Sequence, residues 1–134
     1  MSFSVRRLIE TDYDTLCKWW KDWRWTPPAK EFLPENGTGG LMVSKDGTEI
    51  VAGFIYFTNS AVCWSEFIIS NFDYKERDRQ DAIEILIHEL NELARAKGYK
   101  FMYTVVKNKN LEKTYLSSGF VNGSSQVNEM FMIL

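Results

Sequence analysis

No stretch of this 134-residue sequence stays apolar for the roughly 18 residues that a membrane-crossing helix requires. The opening segment turns acidic at Glu10, Asp12 and Asp14 before any long apolar run, which is not the pattern of a secretory signal. The expectation is a cytoplasmic protein with no membrane partner. Cysteine is scarce: Cys17 and Cys63 lie far apart, in neither a CxxC nor a Cys/His spacing, and read as buried thiols in a reducing compartment. His88 is the single histidine, so a histidine-based zinc site or a Ser-His-Asp triad is hard to assemble, and no metal is expected. Excess positive charge is missing too: 16 Lys plus Arg against 18 Asp plus Glu leave a formal charge of −2. Such a surface lacks the field that draws proteins onto nucleic acid.

What is present is the balance of an ordinary globular protein, with 45% hydrophobic and 25% charged residues. The length fits one domain, residues 1–134, since domains take about 100–200 residues. Aromatics are abundant, and four of the five tryptophans fall between Trp19 and Trp25.

Phe3 to Ile9 reads as a first strand. Thr11 to Asp14 is a helix start, and Tyr13, Leu16, Cys17 and Trp20 then recur at helical spacing. All three prolines (Pro27, Pro28, Pro34) lie between Trp25 and Gly40, a long loop with one short helix near Ala29 to Leu33. Asp46-Gly47 between apolar runs signals a hairpin, and Ala61 to Ser70 is apolar enough for a central strand. Ile83, Leu86, Ile87, Leu90 and Ala94 form one face of a helix over Asp78 to Lys97, with Glu84, His88, Glu92 and Arg95 opposite and Gly98 as the stop. Tyr99 to Val106 is a further strand, Leu111 to Ser118 a short helix, and one or two strands should end at Met130 to Leu134. An antiparallel hairpin followed by a helical crossover gives an α+β mixed sheet with helices on its faces.

Three blocks carry a resemblance. Val5-Arg6-Arg7 leads into an acidic helix start, a hairpin returns through Val51-Ala52-Gly53-Phe54, and Asn108, Leu111, Tyr115, Gly119 and Phe120 keep fixed offsets. In this order they resemble the GNAT superfamily of acyl-CoA-dependent N-acetyltransferases over nearly the whole chain. The resemblance implies a mostly antiparallel six- to seven-stranded mixed sheet with helices on both faces, acetyl-CoA as cofactor, and direct attack by a small-molecule or peptide amine. It also implies a homodimer formed through C-terminal strands.

The family's cofactor loop is glycine-rich, because a side chain would stand between the helix-heading amides and the diphosphate they hold. Here that loop reads Lys75-Glu76-Arg77-Asp78-Arg79-Gln80-Asp81, with Asp78 and Gln80 in the glycine positions, and no glycine occurs between Gly53 and Gly98. Two readings stand side by side. Amides from about Asp78 to Ala82 still hold a diphosphate, helped by Lys75, Arg77 and Arg79. Alternatively Asp78 caps the helix, the anion site is lost, and the chain is a catalytically inactive GNAT-fold binding or protein-interaction module.

The resemblance further implies Glu66 as the base for the amine, since a carboxylate buried in an apolar strand has a raised pKa. It makes Tyr115 the proton donor to the leaving sulfur, and Asn108 a contact to the pantetheine arm, with helix capping as the alternative for Asn108. Main-chain groups of Ile68, Ile69 and Ser70 would lie along the arm if a bulge splays their strand. Trp23 and Trp25 fall where the family builds its acceptor wall, with loop packing as the alternative.

Overall fold

The computed structural model describes residues 2–134. Five strands and three helices follow one another as β1 (Phe3–Arg7), α1 (Asp12–Asp22), β2 (Gly40–Lys45), β3 (Thr48–Phe57), β4 (Val62–Ser70), α2 (Arg79–Ala96), β5 (Phe101–Tyr103) and α3 (Lys109–Ser117), with two 3-10 turns at Lys30–Phe32 and Pro34–Gly37. The sheet order is β1-β2-β3-β4-β5, antiparallel throughout except for the parallel β4–β5 pair. The parallel pair follows from the α2 crossover, since a tight turn cannot join parallel strands.

Local chemistry sets these elements. Asp46 and Gly47 both take left-handed backbone, φ +51° and +81°, the turn whose twist suits a two-residue hairpin. α1 begins where Asp12 accepts from the Ile9 peptide N–H at 2.8 Å and receives both terminal nitrogens of Arg6, at 2.8 and 2.9 Å. α2 buries Ala82, Leu86, Ile87, Leu90 and Ala94, close to the face read from the sequence. That face covers Val43, Val51, Ile55 and Cys63 on one side of the sheet. α1 covers the other side, packing Leu16, Trp19 and Trp20 against Met42, Ala52, Phe54 and Ile69. Helices thus lie on both faces, as expected.

Three expectations need correction. The sheet has five strands, not six or seven, because no strand forms after α3. β5 is three residues long, shorter than the expected Tyr99 to Val106. The C-terminal segment keeps its apolar side chains exposed, Met130, Met132, Ile133 and Leu134 among them, so within one chain it has no ladder to join.

Candidate functional site

The site begins with a register fault. Ala52 pairs with Ile69 but Phe54 pairs with Glu66, so β4 carries one extra residue opposite Gly53. Phe67 takes up that residue in a left-handed conformation, φ +58°, which is rare for a side-chain-bearing residue and costs strain. Gly53 lies opposite the bulge, where a Cβ would stand 3.1 Å from both the Ile68 and Leu86 side chains and would make them give by a few tenths of an ångström. The bulge bends β4 away from β5, whose pairing ends at Trp64 and Tyr103. One rung beyond, the Thr104 hydroxyl donates to the Ser65 carbonyl at 2.8 Å. Past that bond the two strands part, and among the described residues no strand pairs with residues 66–70 on that side. Peptide groups of Ile68, Ile69 and Ser70 therefore edge an open fork, as the resemblance required.

α3 delivers Tyr115 into the fork. Asn108 caps this helix, its Oδ1 accepting from the Leu111 N–H at 2.9 Å, so the capping alternative is the one observed. Tyr115 is 4% exposed, held edge-on by Phe120 with ring centroids 4.8 Å apart. Burial pushes its phenol pKa up; the Thr104 and Ser65 hydroxyls beside it draw it back in part, and the charge of Glu66 raises it again.

Among the described residues Glu66 has no ion-pair partner. Burial raises its carboxyl above the ordinary glutamate range, the Trp64 indole N–H and the Phe67 peptide N–H offset part of the rise, and Glu129 adds to it. The Tyr56 phenol is pushed up to about 12, by burial first and then by Glu66. A carboxylate with raised proton affinity and a buried phenol thus share one electrostatic environment at the fork. Such a pairing is chemically able to take up a proton at one group and to supply one at the other.

The head of α2 lies at the far end of β4. The Asp78 carboxylate does not cap the helix. It accepts from Lys45 Nζ at 2.5 Å and from the Tyr74 hydroxyl at 2.6 Å, contacts that hold its pKa below the usual carboxylate range. The peptide N–H groups of Gln80 and Asp81 meet no intramolecular acceptor, and a helix start with free amides suits an anion. Gln80 instead sends its side chain to α3, donating to the Thr114 hydroxyl at 2.8 Å. Of the basic residues in this loop, Lys75 lies over the Phe72 ring and Arg79 donates to the Asn71 and Tyr74 carbonyls, with its Nε buried and unpartnered. Arg77 lines an open cleft of about 610 Å³ with Lys45, Thr48 and Tyr74. A diphosphate fits the free amides and the orphaned Arg79 Nε, and it has to share that end with the Gln80 side chain.

Trp23 ties α1 to the end of β4 and to this loop. Its indole N–H donates to the Ser70 carbonyl at 2.9 Å, and its ring meets Phe72 and the Arg79 guanidinium. Trp25 is exposed. Sequence reasoning missed Ser65, Thr104, Tyr56 and Glu129. Ser65 was legible as a small polar residue in an apolar strand, whereas Glu129 reaches Glu66 only through tertiary folding of the tail. Among the described residues there is no cluster of three metal-ligating side chains, and no helix is long and apolar enough to cross a membrane.

No protein-family model matches this sequence, and no curated protein does. Solved structures do match. The aminoglycoside acetyltransferase AAC(6')-Iy, solved with the bisubstrate analog CoA-S-monomethyl-acetylneamine, is 16% identical at a TM-score of 0.69, over 99% of this chain and 100% of that one. A metagenomic aminoglycoside acetyltransferase from soil, meta-AAC0020, solved with sisomicin, is 11% identical at a TM-score of 0.71, over 98% of this chain and 97% of that one. A Trypanosoma brucei acetyltransferase is 18% identical at a TM-score of 0.65, over 97% of this chain and 100% of that one. With its bulged β4, its fork against β5 and its helices on both faces, the chain has the GNAT fold, with fewer strands than expected.

Proposed function

We propose that this protein is an acyl-CoA-dependent N-acetyltransferase acting on a small-molecule or peptide amine in the cytoplasm. The observation that carries the reading is that Glu66 and Tyr115 both lie at the β4–β5 fork with proton affinities raised by burial, the charge of Glu66 adding to the rise at Tyr115. Structures of the same fold that hold CoA or a CoA analogue support acetyl-CoA as the donor. The cofactor supplies a thioester-activated acetyl group. Peptide groups of Ile68, Ile69 and Ser70 would line its pantetheine arm, and one of their N–H groups would steady the oxyanion. The amides of Gln80 and Asp81, with Arg77 and Arg79, would hold its diphosphate, while the acidic Asp78 is kept aside by Lys45 and Tyr74. Glu66 Oε takes the proton given up by the attacking amine, and Tyr115 Oη holds a proton for the departing sulfur.

Calorimetry with acetyl-CoA and with desulfo-CoA tests the reading. A ligand at 100 times its dissociation constant adds about 2.7 kcal/mol of stability, so thermal shift gives an independent readout. The rival, a catalytically inactive binding module, is favoured by the Gln80 bridge to Thr114 and predicts no shift with either ligand. Self-association belongs to the same proposal: a second copy would cover Met132, Ile133 and Leu134 and the outer edge of β5 with its exposed Phe101 and Tyr103. Sedimentation of the full chain tests it, a monomer at micromolar concentration being the contrary result.

A further inference from the structure

The C-terminal tail returns over the α1 side of the sheet. There the Phe131 ring meets Phe32 edge-on, with centroids 6.4 Å apart at 76°. Phe32 meets Phe67 in the same manner, 5.9 Å apart at 78°. Phe67 is the bulge residue, next in sequence to Glu66, and it packs with the α1-side cluster that contains Phe54, the cross-strand partner of Glu66. The bulge therefore turns the Phe67 ring toward the face that Glu66 occupies. Phe32 is held in place from below, its carbonyl accepting from the Tyr56 hydroxyl at 3.0 Å. Two residues before Phe131, Glu129 stands close enough to Glu66 to raise its carboxyl.

Three phenylalanine rings and two carboxylates thus converge where an acceptor would approach Glu66. Phe32 and Phe131 remain 51% and 74% exposed, so a large apolar area stays open to a ligand. We propose that Phe32, Phe67 and Phe131 form the acceptor subsite, with Glu129 at its margin, and that it takes a primary amine on an aromatic body bearing no carboxylate: the arylalkylamine class. This rests on the acyl transfer proposed at Glu66.

Perpendicular rings offer both faces and edges to a further ring, the arrangement aromatic groups prefer. The ammonium end is drawn by the two carboxylates and by the ring faces. An amine with its own carboxylate meets like charge from Glu66 and Glu129. A polyhydroxylated amine would bury hydroxyls against phenylalanine without hydrogen bonds. In the reaction a C–N bond forms at the acyl carbon and the C–S bond breaks. The bound ammonium first gives one proton to solvent to become the attacking amine; as the C–N bond forms its nitrogen gives a second to Glu66, and the thiolate takes its proton from Tyr115. No oxidant or reductant is needed.

The test supplies the full chain with acetyl-CoA and compares phenethylamine, putrescine, glutamate and an aminoglycoside by thiol release. Phenethylamine is expected to exceed the others at least tenfold in kcat/KM. Phe131→Ala should lower its kcat/KM about tenfold without changing desulfo-CoA affinity, and Phe131→Trp should retain it. Preference for any of the other three, equal handling of all four, or an unaffected Phe131→Ala would overturn the subsite. Saturation-transfer NMR with phenethylamine alone separates this proposal from the one beneath it. Binding lost in Phe131→Ala upholds the subsite even if desulfo-CoA fails to bind and the transferase reading falls. Absence of phenethylamine binding overturns the subsite even if desulfo-CoA binds.

Discussion

Lys45 Nζ stands 2.5 Å from the Asp78 carboxylate, across from the β2–β3 hairpin to the residue that precedes α2. The contact draws an acidic side chain off the helix head and leaves the Gln80 and Asp81 amides without an acceptor. A negative charge beside a bound phosphate repels it, the more weakly the more water lies between them. Asp78→Asn should therefore tighten desulfo-CoA binding about fivefold, and Lys45→Ala should weaken it by freeing Asp78 to cap the helix. Calorimetry at low salt reads both changes, and raised salt should shrink them.

Glu66 must be ionised to take a proton from the amine, and its pKa is raised by burial and by Glu129. The acid limb of the kcat/KM profile is accordingly expected above the usual glutamate range. Tyr56 and Tyr115 also face this carboxyl, but their pKa values are raised, so neither titrates on that limb. Glu66→Gln should lower kcat roughly 100-fold and abolish the limb. Glu129→Gln should move it to lower pH, because a negative neighbour has been removed. The stability effect has a definite sign as well. A carboxyl raised in the folded state favours folding when protonated, and that benefit is lost as pH rises from the unfolded value through the folded one.

Tyr115→Phe removes the proton donor while keeping the ring against Phe120. A tenfold or greater fall in kcat with unchanged desulfo-CoA affinity is expected from steady-state kinetics beside calorimetry. An unchanged kcat would leave Tyr115 as a packing residue of α3 alone.

Much of this was readable from local chemistry. The Asp46-Gly47 turn, the apolar face of α2 and the Asn108 cap each depend on residues within a few positions of one another, so the sequence carries their full signal. Glu66 and Tyr115 were singled out by the resemblance and not by local chemistry, and their roles belong to the proposed function. The bulge at Phe67 was not legible, since no local rule puts a phenylalanine in left-handed backbone; it shows only in the register of β4 against β3. The expected C-terminal strand failed for a related reason. Met130 to Leu134 has strand-like composition, but a strand exists only where an edge receives it. The Trp23 bond to the Ser70 carbonyl was not legible either, because the two residues lie 47 positions apart.

Arg6 and Asp12 form the two-pronged ion pair that joins β1 to the start of α1. Asp12 is 4% exposed whereas Arg6 is partly open and also reaches Glu49. Arg6 holds the Asp12 carboxyl below its ordinary range. Asp12→Asn should cost about 1–2 kcal/mol, less than a fully buried pair because solvent screens the arginine. The pair's contribution is present above the unfolded aspartate pKa and is lost as pH falls through the lowered folded value. Urea unfolding at neutral and acid pH should show wild type and Asp12→Asn converging on the acid side.

Gln80 decides how the cofactor end of the fork is used. Its amide donates to Thr114, whose hydroxyl also donates to the Asn110 carbonyl, so removing Gln80 leaves no orphaned hydroxyl. The stability cost of Gln80→Ala is then that of one neutral hydrogen bond, about 1 kcal/mol. The effect on binding runs the other way. A side chain strung from the first turn of α2 to α3 stands beside the free amides, and on the proposed reading glycine or alanine in its place opens room for the diphosphate. Desulfo-CoA affinity is expected to rise several-fold in Gln80→Ala and in Gln80→Gly alike, while thermal stability falls in both. Weaker binding in both variants would mean that the bridge organises the site instead of crowding it, since the two substitutions share only the loss of that tether.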